Sequence, residues 1–577
     1  MGNPAPPSDY EAWDRSIRCP GITLQADRLA RVVREAAKRW AVLQYEKPRP
    51  CIWIVFIGGT GTGKSTVFNS LCGLPLSQTG VERPKTHGPI AYAYREMHLE
   101  KGFPIEGVGV TKASPDPSAG KRFAGKAGEI LILEHDREEM SHWILVDTPD
   151  LDSLERRHRQ MADDLYLLSD VVVFVTSQEK YADGVPYEFL QTIQKDRKAC
   201  FFILNKAGVE MNQDEVASAL RDHGLRMPRD RFWLFSYLSS APPEILPEGG
   251  DFSDFERAFT RALRPEAMPD VLREERARKA EVLGGQLDTL LGALSKEKQA
   301  SEKWLSELEV LFRESCEAFL RGQREKFSTQ SRAYLQSEIR SLFARYDLLA
   351  RPRRMVTEIL SAPLRFFGLA RKRDDNRVRE EALAKLRERI DLSPVQAALD
   401  RFNRRVLEKL SPADPASPLH QVLRRPDILM TEDDVRDRVW KEQERLLAWL
   451  HGTFEDLSKG IPKHKEWGIY STSVLWGIFI LSLESALGGG IGFLDAAVDS
   501  LLAPFVTKGA VELFAYHELQ RIARQLAQRY QDGLLSVIGE QRDRYSRNMA
   551  SLRTPEEALT RLAEIRKVVS RLQRAQG

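Results

Sequence analysis

The stretch Gly58-Gly59-Thr60-Gly61-Thr62-Gly63-Lys64-Ser65-Thr66 constrains this chain more than any other. An apolar run, Ile52-Trp53-Ile54-Val55-Phe56-Ile57, leads into it, and Val67-Phe68-Asn69-Ser70-Leu71-Cys72 follows. The order is strand, glycine loop, helix start, and the loop fits the phosphate-binding pattern G-x-x-x-x-G-K-[ST]. Each residue type has a reason. Glycines let the backbone turn so that its N–H groups converge on phosphate oxygens. The helix start adds the positive end of its dipole. Lys64 is placed to reach the β- and γ-phosphates, and Ser65 to ligate Mg²⁺.

The rest of the chain must be fitted around that loop. A length of 577 residues suggests roughly three to four units. A net charge of +3 lacks the strong basic excess of a dedicated nucleic-acid binder, so nucleic acid is not an expected partner. The five cysteines (Cys19, Cys51, Cys72, Cys200, Cys316) are scattered and form no C-x-x-C pair. Neither a disulfide framework nor a zinc site is indicated, and a reducing cytoplasm is expected. The first residues, Met1-Gly2-Asn3-Pro4-Ala5-Pro6-Pro7-Ser8, have no apolar stretch that would make a secretory signal. Pro6 stands where a myristoylation signal requires Ser or Thr. Residues 1–47 read as a lead-in followed by a helix at 24–44, with Leu29, Val32, Val33, Ala36 and Trp40 near one face.

Residues 48–265 alternate short β-rich runs (51–57, 89–94, 129–133, 143–147, 171–176, 200–204 and 231–236) with helical stretches, the pattern of an α/β sheet with helices on both faces. The Gly-, Pro- and Lys-bearing stretch 99–127 reads as a long loop. Three further motifs follow the phosphate loop in order. In Arg83-Pro84-Lys85-Thr86, Thr86 is the candidate to ligate Mg²⁺ when a γ-phosphate is present, and its release is the switch. In Asp147-Thr148-Pro149-Asp150, Asp147 ends a strand and is the candidate to hold Mg²⁺ through water. In Asn205-Lys206-Ala207-Gly208, the first two residues match the guanine-reading pattern N-K-x-D. Ser236, after Phe232-Trp233-Leu234-Phe235, stands where a last base-contacting loop is expected.

This order of motifs resembles the GTPase domain of bacterial dynamin-like or Ras-like proteins, the translation-factor-related class. The resemblance covers about residues 48–240 and implies a Ras-like G domain, a mixed sheet flanked by helices, that binds GTP or GDP with Mg²⁺. Carried over residue by residue, it implies nucleotide contacts from Gly58, Gly59, Thr60, Gly61, Thr62, Gly63, Lys64, Ser65, Thr66, Asn205, Lys206 and Ser236. It implies metal ligation by Ser65, Thr86 and Asp147, and catalytic roles for Lys64, Thr86 and Asp147. The sequence departs from the pattern at four places. Asp150 replaces the glycine of D-x-x-G. Leu151 stands where Ras-like enzymes carry a water-positioning glutamine. Gly208 replaces the aspartate that reads guanine, which should cost a few kcal/mol of base discrimination, and Glu210 or Asp214 is left to substitute. Gly61 replaces the serine that helps dimer-stimulated hydrolysis in dynamins.

Beyond the prolines and glycines of 240–250, helix formers dominate. Residues 266–458 read as an all-α bundle or coiled-coil region, with Leu283, Leu287, Leu290, Leu291 and Leu294, then Trp304, Leu305, Leu308, Leu311, Phe312, Phe319 and Leu320, at helical spacing. Thr431-Glu432-Asp433-Asp434 reads as a helix start resembling a capping box, opening a helix that runs to Ser458. Residues 459–515 read as an apolar helical hairpin and 516–577 as charged C-terminal helices. Two segments suit a membrane surface. Residues 351–373 carry arginines at both ends of an apolar, aromatic middle. Residues 467–514 begin with seventeen uncharged residues, the short limit for a bilayer span, after Lys459, Lys463 and Lys465. Each has a bland alternative, a helix corner and a buried core hairpin respectively.

The expectation is therefore a slow GTP hydrolase whose nucleotide state switches a helical, membrane-contacting region. It would self-associate through its G domain or helices, in the cytoplasm or at the cytoplasmic face of a membrane. Two other readings stay open: a nucleotide-gated scaffold with little turnover, and a GTPase acting in ribosome or RNA assembly.

Overall fold

The structure, a computed structural model, describes residues within 13–327, 392–459 and 513–574, apart from the short stretches 14–15, 24–25, 46–48, 80–87, 100–102, 106, 116–121, 153–155, 178–183, 209–210, 223, 237–242 and 248. Thr86, the segment 351–373 and residues 467–512 of the segment 467–514 lie outside the described residues. The described residues divide into two compact units, one of 1–18, 27–295 and 554–577, the other of 19–26 and 296–553.

The first unit is built on a mixed sheet. Helix α1 (Ala26–Gln44) precedes strand β1 (Ile52–Gly58) and helix α2 (Lys64–Cys72). Then come β2 (Ile90–Tyr94), β3 (Gly109–Ala113), β4 (Glu129–His135), β5 (Trp143–Asp147), α3 (Arg156–Leu168), β6 (Val171–Ser177), α4 (Gly184–Lys195), β7 (Ala199–Ala207), α5 (Gln213–Asp222), β8 (Phe232–Ser236) and α6 (Gly250–Ala262). Spatial order is β3-β4-β2-β5-β1-β6-β7-β8. All pairings are parallel except β2 with β5. The stretch 99–127, read from sequence as a loop, contains β3. Its Gly-Val-Thr-Lys-Ala sequence is half-exposed at the sheet edge, so the strong apolar alternation that marks a strand is missing.

β1 is buried along its whole length because the sheet is covered on both faces. Its alternate residues enter different layers. Trp53, Val55 and Ile57 pack with Leu165, Tyr166 and Leu190 of α3 and α4. Ile52, Ile54 and Phe56 pack with Val67 and Phe68 of α2 and with Phe255 and Phe259 of α6. α2 stops at Gly73, whose φ of 68° is left-handed, and Leu74 N–H reaches back to the Asn69 carbonyl. All five cysteines are free; Cys51 and Cys72 are wholly buried, and burial pushes the Cys72 thiol well above its usual range.

Helix α7 (Met268–Phe327) is one run of 60 residues that contributes to both units. In the first unit its root is tied to the sheet. Lys279 Nζ lies 2.8 Å from Asp170 Oδ1, and the other oxygen of Asp170 accepts the Trp53 N–H of β1 at 3.0 Å. Gln286 of α7 donates to Glu35 of α1 at 2.8 Å. Helix α12 (Glu556–Arg574) joins the same group through a fork from Arg566 to Asp288, at 2.7 and 2.8 Å. The chain's first and last described helices thus flank one segment of α7.

The second unit packs the later part of α7 with α8 (Ser393–Leu410), α9 (Pro418–Leu423), α10 (Glu432–Lys459) and α11 (Leu513–Leu552). The apolar positions at helical spacing, Trp304, Leu308, Leu311 and Phe319, are buried there. α10 starts with a reciprocal box: Asp434 N–H donates to Thr431 Oγ1 at 3.1 Å and Thr431 N–H to Asp434 Oδ2 at 3.0 Å. No described helix is long and apolar enough to cross a membrane.

Candidate nucleotide site

The site forms where β1 ends. Gly61 and Gly63 have φ of 74° and 91°, the left-handed region that glycine adopts without strain. Close approach also demands glycine. A Cβ on Gly58 would stand 2.1 Å from the Val175 carbonyl oxygen of β6, and one on Gly63 would stand 2.1 Å from Asn205 Nδ2. Thr62 closes the turn from within, its hydroxyl donating to the Gly59 carbonyl at 2.9 Å.

Asp147 is the centre of charge. It ends β5, in register with Phe56 of β1, and is fully buried. Its Oδ1 accepts from Lys64 Nζ at 2.8 Å, and its Oδ2 accepts from the hydroxyls of Ser65 and Ser77, each at 2.7 Å. Lys64 also donates to the Thr148 carbonyl and lies 3.8 Å from Asp150 Oδ1. Burial is the largest single influence on Lys64 and would lower its pKa, but Asp147 and then Asp150 together outweigh it and hold the ammonium above the usual lysine value. The structure places Lys64, Ser65 and Asp147, three residues singled out in the sequence, against one another. Sequence reasoning misses Ser77, which is buried and locked by Asn69: Ser77 N–H donates to Asn69 Oδ1 at 2.8 Å and Asn69 Nδ2 donates back to the Ser77 carbonyl at 2.9 Å. A lone serine before the switch segment carries no pattern of its own.

Hydroxyls and a carboxylate are the donors a hard divalent ion takes. Mg²⁺ is held at phosphate sites by one or two carboxylates plus the substrate's own oxygens, so a full protein cage is not needed. Ser65 Oγ and Asp147 fit that role. Among the described residues no group of three or more His, Cys, Asp or Glu is arranged to hold a metal.

The Asn205-Lys206 pair is bonded to the phosphate loop. Asn205 Nδ2 donates to the Thr62 carbonyl at 2.8 Å and Lys206 Nζ to the Gly61 carbonyl at 2.8 Å. Lys206 has φ of 56°, and its N–H is held by Asn205 Oδ1 at 2.9 Å. The β7–β8 ladder shifts register between Leu204 and Ala207, while Asn205 stays paired with Ser177 of β6. Gly208 is exposed and supplies no carboxylate. Asp214, on the first turn of α5, is engaged with Arg229; Glu210 lies outside the described residues. Ser236 ends β8 with its N–H and hydroxyl on Asp251 Oδ2, at 3.0 and 2.8 Å. Leu151 is 1% exposed and belongs to the core, so it has no access to a reacting water.

Residues 54–207 match the model of the dynamin family. No curated protein matches the chain. Among solved structures, the chain is similar to a chain of an oligomerised bacterial dynamin pair, described as a mechanism for long-range sensing and tethering of membranes, at 13% identity and a TM-score of 0.38, covering 94% of this chain and 91% of that one. A second chain under the same description matches at 12% identity and a TM-score of 0.33, with the same coverage. The family match spans the loop, Asp147 and Asn205-Lys206 together, and the domain built on them is a P-loop GTPase domain of the dynamin-like class.

Proposed function

We propose that this chain binds a guanine nucleotide with Mg²⁺, hydrolyses it slowly, and uses the bound state to set the helical region that meets a membrane surface. One observation carries the nucleotide part. The Asn205-Lys206 turn is hydrogen-bonded to the carbonyls of Thr62 and Gly61, so the base-side turn and the phosphate loop form a single bonded cradle. Such a cradle spans a base and its phosphates at once.

The residues divide the work. The loop amides nearest the helix start, up to Ser65, would face phosphate oxygens, and Lys64 would supply positive charge against them. Ser65 and Asp147 hold the metal, which when bound neutralises charge on the β- and γ-oxygens. Thr86 completes the metal shell and reports the γ-phosphate. Leu151 is committed to the core, so turnover relies on another group or on a partner molecule, and the intrinsic rate is low. That same burial favours a nucleotide-gated scaffold as the second reading. Membrane contact rests on the composition of 351–373 and 467–514, and self-association on the G domain or helices.

The test is binding of labelled GTP and ATP to the full chain, with and without Mg²⁺, beside flotation on anionic liposomes. Mg²⁺-dependent GTP binding that Lys64→Ala abolishes is expected, with slow turnover that rises with protein concentration or lipid. Binding that Lys64→Ala leaves intact would refute the site. A turnover indistinguishable from that of Asp147→Ala, whatever the lipid, would favour the scaffold.

A further inference from the structure

The segment after β5 is laid along the phosphate loop bond by bond. Thr148 Oγ1 donates to the Phe56 carbonyl at 2.7 Å, and Leu151 N–H donates to the Gly58 carbonyl at 3.2 Å. Next, Asp152 Oδ1 accepts twice from Thr60, from its N–H at 2.7 Å and from its hydroxyl at 2.5 Å. Leu151, buried in the core, fixes this backbone in place. A phosphate loop uses its amides to grip phosphate oxygens. Here one of those amides, at the loop's mouth, is taken by a carboxylate of the protein itself.

Where the third phosphate belongs follows from the groups that converge. It would lie between the Lys64 ammonium, the Asp147 carboxylate that would hold the metal, and the 150–152 segment. Asp150 already stands 3.8 Å from Lys64. A γ-phosphate must therefore enter beside two aspartates and take the Thr60 end of the loop from Asp152. A diphosphate, bound through the amides nearer the helix start and through Lys64, meets Asp152 at longer range.

We propose that Asp152 is the residue that distinguishes a nucleoside triphosphate from a diphosphate in this site. Its carboxylate stands on the Thr60 amide and hydroxyl as a built-in stand-in for a terminal phosphate oxygen. It penalises the third phosphate by like-charge repulsion and by competition for Thr60, and it leaves the diphosphate nearly untouched. The inference rests on the nucleotide reading above, but it concerns the number of phosphates and does not depend on the base.

The experiment is calorimetric titration of the full chain in Mg²⁺ with GDP and with the non-hydrolysable triphosphate GMPPNP, run in parallel with the adenine pair. Asp152→Asn keeps a hydrogen-bond acceptor of the same shape and removes the charge. It should tighten GMPPNP about tenfold, equal to about 1.4 kcal/mol, and move GDP less than twofold. Asp152→Ala, which also frees Thr60, should move the ratio in the same direction. An unchanged GMPPNP-to-GDP ratio in both variants, or weaker GMPPNP binding, overturns the role of Asp152 while the nucleotide reading stands. A wild type that binds none of the four nucleotides overturns both.

Discussion

Removing Lys64 and Asp147 singly and together tests whether the site's central charges are a mutually dependent pair. Lys64 is 3% exposed and Asp147 is fully buried, with 2.8 Å between them. Breaking a buried pair by deleting one partner costs about 3–5 kcal/mol, because the survivor is left charged and desolvated. In Asp147→Ala the ammonium retains the Thr148 carbonyl and the flanking Asp150 at 3.8 Å, which brings the loss to the lower end, about 3 kcal/mol. In Lys64→Ala the carboxylate retains the hydroxyls of Ser65 and Ser77, and about 2–3 kcal/mol is expected. Independent effects would sum to roughly 5–6 kcal/mol. The double variant holds neither orphan charge, so its loss should stay near 2–3 kcal/mol, a coupling of about 3 kcal/mol. The assay is hydrogen exchange at the amides of Ile54, Val55, Phe56 and Ile57 of β1. It reads the free energy of opening this sheet without treating a chain of two units as a single transition. A double variant within about 0.5 kcal/mol of the sum of the singles would refute the pairing argument.

Two further outcomes are expected. Gly63→Ala places a Cβ 2.1 Å from Asn205 Nδ2 at a φ of 91°, so it should destabilise the nucleotide domain by about 2 kcal/mol and weaken nucleotide binding at least about tenfold. Adding Asn205→Ala should recover only part of the stability, since it relieves the clash and leaves the strained backbone; thermal unfolding and titration of the two variants check this. His135 is held near a pKa of about 4 by burial, with Arg137 adding to the effect, and its Nδ1 already accepts the Arg137 N–H at 3.2 Å. Between that value and the usual 6.5 the unfolded chain binds a proton that the folded chain refuses. Stability should therefore rise by about 2 kcal/mol, after allowance for solvent screening, as pH climbs from 4 to 6.5, and be flat above. His135→Phe, which keeps a ring against Tyr92, should flatten that slope in urea unfolding followed at several pH values.

What could be read from the sequence divides by the range of the cause. The strand-loop-helix around Lys64 is visible because glycines, an apolar run and a lysine are each required locally. β1, buried on both faces, shows as an unbroken apolar run for the same reason. The box at Thr431 and Asp434 is likewise local and was legible in four residues. β3 was not, because an edge strand half in water need not alternate. Ser77 and Asp152 were not, because each acts through a partner 70 or 92 positions away, and no spacing rule encodes that separation. Leu151 was legible as an absence, a residue unable to steer water; its place in the core explains what it does instead.

The wholly buried Cys72 gives this protein a built-in chemical clock. It sits at the end of α2, the helix that carries Lys64 and Ser65, and its thiol is both enclosed and reluctant to ionise. An alkylating reagent attacks only the thiolate, so it can consume Cys72 only after that helix has lifted from the sheet. The pace of the reaction counts how often the phosphate grip opens, and any ligand that clamps the grip slows the count without a probe being introduced.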